Sequence, residues 1–262
     1  MRPTFLVRNA WNLTRPRGQV WQVALASPPD NRLSPRVFDE LADRLDEVEG
    51  QWRDENRGKA AEEKVGGALV VTSDIPKFFS NGLSDPELLK NADFVNNVFD
   101  RVNYRLLTFP LVTVAAVNGH AFAGGMITAL CCDYRLASTA RSFWSLNELL
   151  IGIPIPGPPA AIMRAKMTPN VLQEAVLGKR WTQADLVSSG IAHEVVDADQ
   201  ILDRAAELGE EVAPKVALGA WGAIKESLYA DVGEQMARRR AVHYPDAEDR
   251  AFQLRMERKS RE

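Results

Sequence analysis

Two nearly uninterrupted apolar stretches constrain the fold more than any other feature of the sequence. GGALVVTSD (66–74) and LVTVAAVNG (111–119) each read as a buried strand, and an amphipathic helical pattern near 92–108 lies between them. An earlier strand pattern, VWQVALAS (20–27), is also followed by a helical pattern. Strand–helix alternation fills the first two thirds of the chain, and helical patterns continue from Asp199 to the end. The sequence therefore predicts an α/β fold with a C-terminal helical region.

Local signals indicate where two of the helices begin. Ser34 is a suitable N-cap and Pro35 a suitable first residue for the helix that follows the first strand. Further along, Thr182 and Asp185 have the spacing of a capping box, and Gly190 is placed to end that helix.

Composition narrows the class of protein. The 262 residues are 45% hydrophobic, enough for a sizeable core, and the net charge of −3 lacks the basic character of a nucleic-acid binder. No apolar run approaches the ~20 residues of a membrane span. The two cysteines, Cys131 and Cys132, are adjacent. They lack metal-ligand spacing, so we expect buried packing residues in a reducing compartment.

The ends of the chain give no clear cellular address. Arg2, Arg8, Arg15 and Arg17 all precede the first acidic residue, Asp30, as in many mitochondrial transit peptides. The strand pattern at 20–27 argues against a long leader, and the final residues, RKSRE, are not a peroxisomal SKL signal. We expect a soluble intracellular protein, whether peroxisomal, mitochondrial or cytoplasmic.

Three glycines open the stretch AVNGHAFAGGMITALCCDYRLAS (116–138). The spacing from Gly119 to Gly124 fails as a P-loop because Lys and Ser/Thr are missing, and it also fails as a GxGxxG fingerprint. His120 has no GxSxG partner and is expected to pack or form hydrogen bonds. Gly124 and Gly125 would either make a tight strand-to-helix turn or let an oxyanion reach a helix N-terminus. The stretch alone supports both readings equally.

Two further motifs favour the oxyanion reading. FFSNGLSD (78–85), NGHAFAGG (118–125) and SLNELLIG (145–152) together resemble the enoyl-CoA hydratase/isomerase (crotonase) superfamily over roughly residues 19–197. The resemblance implies a crotonase (ClpP-like) spiral of ββα units over residues 1–197, with a C-terminal helical region over 198–262. It also implies assembly as a homotrimer or hexamer.

The resemblance implies roles for particular residues. The backbone N–H groups of Leu83 and Gly124 would bind the thioester oxygen of an acyl-CoA. Hydratases of the superfamily use two glutamates, and the matching positions here are Ile127 and Glu148. One carboxylate is sufficient for Δ3,Δ2-enoyl-CoA isomerisation. The Leu-Asn-Glu motif that ends at Glu148 resembles the plant and fungal isomerases. The apolar neighbours of Glu148 in sequence predict that its charged form is disfavoured.

The acyl-CoA itself would contact several more positions by the same resemblance. These substrate-binding residues are Leu33, Phe79, Asn81, Gly125 and Ile127. No cofactor is implied, since coenzyme A is part of the substrate. Arg32 and Lys90 are candidates for holding the CoA phosphates, although ordinary surface charges would look the same in sequence.

Three hypotheses about function remain open at this point. The first is the isomerase. The second is another CoA-thioester enzyme, such as a hydratase, hydrolase or secondary-metabolism enzyme, and it is favoured if Asp85, Glu87 or His120 faces Glu148. The third is a non-catalytic relative, which predicts that Glu148 is exposed or salt-bridged.

Overall fold

The protein is described by a computed structural model that covers residues 9–239 and 244–259. Strands in these residues form two separate sheets. The strands are β1 Trp11–Arg17, β2 Val20–Leu25, β3 Ala68–Ser73, β4 Phe78–Ser80, β5 Val112–Val117, β6 His120–Phe122, β7 Tyr134–Ser138, β8 Trp144–Ser145 and β9 Glu194–Val196.

Helices fill most of the remaining described chain. They are α1 Pro35–Asn56, α2 Ala92–Phe94, α3 Asp100–Leu107, α4 Gly124–Leu130, α5 Gly157–Lys166, α6 Pro169–Val176, α7 Gln183–Ser188, α8 Ile201–Val212, α9 Trp221–Leu228, α10 Ala230–Arg238 and α11 Pro245–Lys259. A π-helical turn, Val95–Phe99, joins α2 to α3. No helix in the described ranges is long and apolar enough to cross a membrane.

The larger sheet has six strands in the order β1-β2-β3-β5-β7-β9. Only the β1–β2 pair is antiparallel, and the other neighbours run parallel. Both of its faces are covered, which explains the apolar runs at β3 and β5. On one face Val70 and Val114 pack with α8, and on the other Leu69 and Val71 join the main core with α1, α3 and α4.

The predicted helix signals are confirmed. The Ser34 hydroxyl accepts a hydrogen bond from Val37 N–H, with Pro35 as the first residue of α1. Thr182 and Asp185 form the capping box of α7, and Gly190 lies in the left-handed region at φ +77°. These elements start where predicted because short-range hydrogen bonding determines a helix cap.

The structure describes part of the arginine-rich start of the chain. Arg15 and Arg17 lie in β1, which pairs with β2, so this part belongs to the folded domain. Arg15 also donates to Glu55 on α1. Arg2 and Arg8 lie outside the described residues.

Candidate active site

The smaller sheet brings three loops to one edge. Its strands β4, β6 and β8 lie side by side in parallel, so their carboxyl ends meet at the same edge. Leu83 lies three residues after β4, Gly124 two residues after β6, and Glu148 three residues after β8. The strands are only two or three residues long. This short sheet is what assembles the three sequence motifs.

The first loop presents a free backbone donor at Leu83. Leu33 pairs with it as an isolated parallel bridge, in which Leu33 N–H donates to Gly82 O (2.8 Å) and Ser84 N–H donates to Leu33 O (3.0 Å). In an extended chain, the backbone N–H and C=O groups of successive residues point to opposite sides. Because the groups of Gly82 and Ser84 point toward Leu33, the N–H of Leu83 points away from it. It has no hydrogen-bond acceptor within the described residues.

The second loop presents Gly124 N–H. Gly124 is the first residue of α4, where backbone N–H groups have no acceptor inside the helix. Ala123 before it has φ +49° and ψ −123°, a conformation that is strained for a residue with a side chain. Such strain is often found at functional sites. The two loops are in close contact, because a Cβ added to Gly82 would lie 3.7 Å from Gly124 N.

The glycines of the two motifs have different structural roles: one adopts a left-handed backbone conformation, and two allow close packing. Gly82 has φ +81°, a left-handed conformation that suits glycine. Gly119 and Gly125 allow close approach, since an added Cβ would lie 2.4 Å from the Lys77 backbone and 2.6 Å from Ser80 O, respectively. Close packing of the loops and presentation of free N–H groups are therefore both present in this stretch.

Glu148 begins a single 3₁₀ turn, Leu149–Ile151, that follows β8. Its carbonyl oxygen accepts hydrogen bonds from Ile151 N–H (3.1 Å) and Ile153 N–H (2.9 Å), which fix the backbone. Its side-chain Oε2 is buried without a hydrogen-bond partner. Burial raises the pKa of Glu148 to about 7, although its own backbone N–H opposes the shift. The carboxyl can therefore accept and return a proton near neutral pH.

A pocket of about 140 Å³ connects these loops. Five of the predicted site residues line it: Asn81, Leu83, Gly124, Ile127 and Glu148. The rest of the lining comes from two polar residues, Arg32 and Asn147, and from eight apolar residues: Leu89, Phe99, Ala123, Ile151, Ile153, Ile155, Pro156 and Pro159. Glu148 is the one carboxyl group among the described lining residues.

Three predicted substrate-binding residues lie behind this lining. Leu33 is buried, with Cδ1 3.6 Å from a Cβ added to Gly124. Phe79 is buried in the core, and Gly125 packs on Ser80. Their contact with a substrate remains a prediction.

Neither His120 nor Asp85, two of the residues that would favour the second hypothesis, lines the pocket beside Glu148. His120 stacks on Phe122 and Phe143, as expected for a packing residue, and does not line the pocket. Asp85 is exposed, and the Glu87 side chain lies outside what is described. Glu148 forms no salt bridge with any described residue, contrary to the expectation for a non-catalytic relative.

Sequence reasoning missed two asparagines, Asn147 in the pocket lining and Asn31 outside it. Asn147 lines the pocket beside Glu148, and its Oδ1 is buried without a partner. Asn31 has φ +55° and is fully buried, and its amide nitrogen donates to Ser73 Oγ (2.6 Å) and Phe78 O (3.0 Å). The Asn147 side chain could have been found from its place in the Leu-Asn-Glu motif. Asn31 makes contacts across more than 40 residues of sequence, and no local pattern marks such contacts.

The arrangement is suited to acid–base chemistry beside a polarised carbonyl. Two unpaired N–H groups can bind a developing oxyanion, and one carboxyl with a raised pKa can move a proton next to it. No cluster of His, Cys, Asp and Glu side chains suited to a metal ion is present in the described ranges. Both cysteines are buried, and burial raises the pKa of Cys132 to about 12, consistent with packing residues.

The class of protein follows from the fold and from comparison with solved structures. The structure superposes on human mitochondrial delta3-delta2-enoyl-CoA isomerase with a TM-score of 0.70 at 24% identity, covering 96% of this chain and 98% of that one. At that identity the likeness establishes the crotonase fold, with a C-terminal helical region.

The sequence then gives the family. The chain belongs to the enoyl-CoA hydratase/isomerase family, whose pattern it matches over residues 15–253. It is 28% identical to enoyl-CoA delta isomerase 3 of Arabidopsis thaliana over 230 residues, which are 82% of this chain and 91% of that protein. It is also 27% identical to the carnitinyl-CoA dehydratase of Proteus mirabilis over 215 residues, 80% of this chain and 77% of that protein. The relatives thus include more than one reaction.

Proposed function

We propose that this protein is a Δ3,Δ2-enoyl-CoA isomerase that uses Glu148 as its single acid–base group. The observation that carries the proposal is the composition of the pocket. One carboxyl with a pKa of about 7 shares it with two unpaired backbone N–H groups, and Ile127 occupies the position of a second carboxylate. The delta isomerases among the relatives support the same reaction.

The proposed reaction is a proton transfer within the bound substrate. The Glu148 carboxylate takes a proton from C2 of a 3-enoyl thioester. The electron pair of that C–H bond moves into the thioester, so negative charge develops on its oxygen. The N–H groups of Leu83 and Gly124 stabilise this dienolate. Glu148 returns the proton to C4, the double bond moves to C2–C3, and the carboxylate is regenerated.

Ile127 distinguishes this reaction from hydration. Adding water across a 2-enoyl thioester requires a water molecule to be held and split, and a second carboxylate is well suited to that task. Ile127 is buried and has no polar atom in its side chain. We therefore propose that hydration is weak or absent, and dehydration for the same reason.

Coenzyme A enters this proposal only as part of the substrate, and no separate cofactor is required. A homotrimer or hexamer, as the superfamily resemblance implies, is likewise proposed. The exposed apolar side chains Leu149, Leu150, Ile151 and Leu177 are consistent with a surface that a second copy covers.

A paired assay tests the proposal. The purified protein is given 3-hexenoyl-CoA and, separately, 2-hexenoyl-CoA. We expect the first to be converted to the 2-enoyl product and the second to remain unhydrated. Hydration of the second substrate at a comparable rate would instead assign a hydratase, and turnover of neither would reject both reactions.

A further inference from the structure

One arginine at the edge of the pocket joins the loops of the site. We propose that Arg32 is a positioning residue that holds Leu83 in place to bind the thioester oxygen, an inference that rests on the proposed function. Its Nε donates to Asp30 Oδ2 (3.0 Å), and its Nη1 donates to Leu83 O (3.2 Å). Arg32 also lines the pocket.

Asp30 links the arginine to the rest of the first loop. The same Oδ2 accepts a hydrogen bond from Asn81 Nδ2 (2.6 Å), and the Asn81 N–H donates to Asp30 O (3.1 Å). With the Leu33–Leu83 bridge, the segment around Asp30 is thus bonded to each residue from Asn81 to Ser84. We call these connected side chains, Asp30, Arg32 and Asn81, the loop clamp.

The clamp acts at the face of Leu83 that the proposed reaction uses. The C=O and N–H of an extended residue point to the same side. Leu33 is bonded to the neighbouring groups on the opposite side, so within the described residues Arg32 makes the one hydrogen bond to this side of Leu83. Fixing the carbonyl restricts rotation of the backbone and so orients the N–H. The guanidinium also places positive charge on the side where the enolate oxygen would form.

Two observations favour positioning over binding of the CoA phosphates. The guanidinium already faces the Asp30 carboxylate, and a phosphate would have to compete with it. The contacts also use two separate donors of the planar group, Nε and Nη1. A lysine ammonium keeps the charge and loses this fork, so Arg32→Lys separates the two roles.

Steady-state kinetics on 3-hexenoyl-CoA test the clamp. We expect Arg32→Ala to lower kcat roughly 10- to 100-fold with KM changed by less than about threefold, since small displacements of a reacting group have costs of this size. Arg32→Lys should restore only a small part of kcat. The matched control is Arg36→Gln, which removes a nearby arginine paired with Glu40 (2.7 Å) outside the pocket lining. It should match the wild type.

Other kinetic patterns would overturn the inference. A raised KM with unchanged kcat, restored by Arg32→Lys, would make Arg32 a phosphate-binding residue. Wild-type values of both constants in Arg32→Ala would leave only a surface ion pair, which contributes little.

A second readout separates the clamp from the isomerase reaction. Acetoacetyl-CoA forms an enolate with a near-ultraviolet band, and a functional oxyanion site raises that band without isomerisation. We expect the wild type to raise it and Arg32→Ala to reduce it several-fold. If the wild type raises the band but does not isomerise 3-hexenoyl-CoA, only the proposed function fails. If Arg32→Ala raises it fully, the clamp is refuted, and a wild type without the band refutes the oxyanion site together with the clamp.

Discussion

Half-buried Glu148 and fully buried Asp100 have carboxyl groups with closely similar electrostatics. Burial raises the pKa of each to about 7. Each also has one buried oxygen without a hydrogen-bond partner in the described structure, Oε2 of Glu148 and Oδ1 of Asp100. On these grounds alone both would be candidates for catalysis.

Their surroundings differ. Glu148 lines the pocket that also contains the Leu83 and Gly124 N–H groups. Asp100 is 3% exposed, at the start of α3, and is absent from the described pocket lining. Asn103, one turn further on the same helix, accepts a hydrogen bond from Thr128 of α4 (3.3 Å), so this face of α3 is turned to the core. A raised pKa thus marks burial, and access to a substrate must be shown separately.

Removing each carboxyl in turn should give the largest contrast. We expect Glu148→Gln to lower kcat on 3-hexenoyl-CoA by about a hundredfold to ten-thousandfold, the usual contribution of a general acid–base group. Asp100→Asn should remain within about twofold of the wild type. Steady-state kinetics of both variants, with circular dichroism to verify folding, measure this. A large loss of kcat in folded Asp100→Asn would end the distinction and make both carboxyls functional.

The raised pKa of Asp100 should make the free energy of unfolding depend on pH. Its pKa is raised in the folded state, so folding is favoured at low pH and this contribution is lost as pH rises from about 4 to about 7. The loss is on the order of 4 kcal/mol. Glu148 shifts in the same direction, so the comparison is made between Glu148→Gln and the double variant with Asp100→Asn. Urea unfolding across this pH range should show the double variant gaining relative stability as pH rises. Parallel curves would mean that Asp100 is ionised without penalty.

The parts of the fold predicted from sequence are those with local signals. The Ser34 and Thr182 caps depend on residues three positions away, and the apolar runs at β3 and β5 report burial directly. β1 was missed because WNLTRPR is mostly polar and lies on a partly exposed edge strand. In the smaller sheet, β4 and β6 were missed because three residues are too few for a periodic pattern.

The residues of the site were predicted from motifs, but the hydrogen bonds that hold those residues in place were not. Leu83, Gly124, Ile127 and Glu148 were named because each lies in a motif resembling the superfamily, and they do line one pocket. The contacts that hold them, such as Arg32 with Leu83 O, join loops about 50 residues apart and have no local signature. Asp100 was missed because a single acidic residue in an amphipathic helix normally faces solvent.

The pH dependence of the reaction should report Glu148 and not Asp100. The ionised base is required in the free enzyme, so kcat/KM should rise about tenfold per pH unit at low pH and level off above about 7. An unperturbed glutamate would level off near its ordinary pKa of about 4.3. Asp100→Asn should leave the profile in place. A profile that moves in this variant would show the two carboxyls titrating as a coupled pair.

The smallest effect should come from changing what surrounds Glu148 while keeping the carboxyl. Ile127 lies on α4 and contributes apolar surface to the pocket. Ile127→Gln places an amide donor there, and donation to the carboxylate favours the charged form. We expect the acidic limb of kcat/KM to move to lower pH by less than about one unit, while Ile127→Leu, the matched control, leaves it unchanged. The pH dependence of stability that Asp100 causes should be the same in both variants. If Ile127→Gln moved that dependence instead of the kinetic limb, the raised pKa of Glu148 would have another source than the apolar lining.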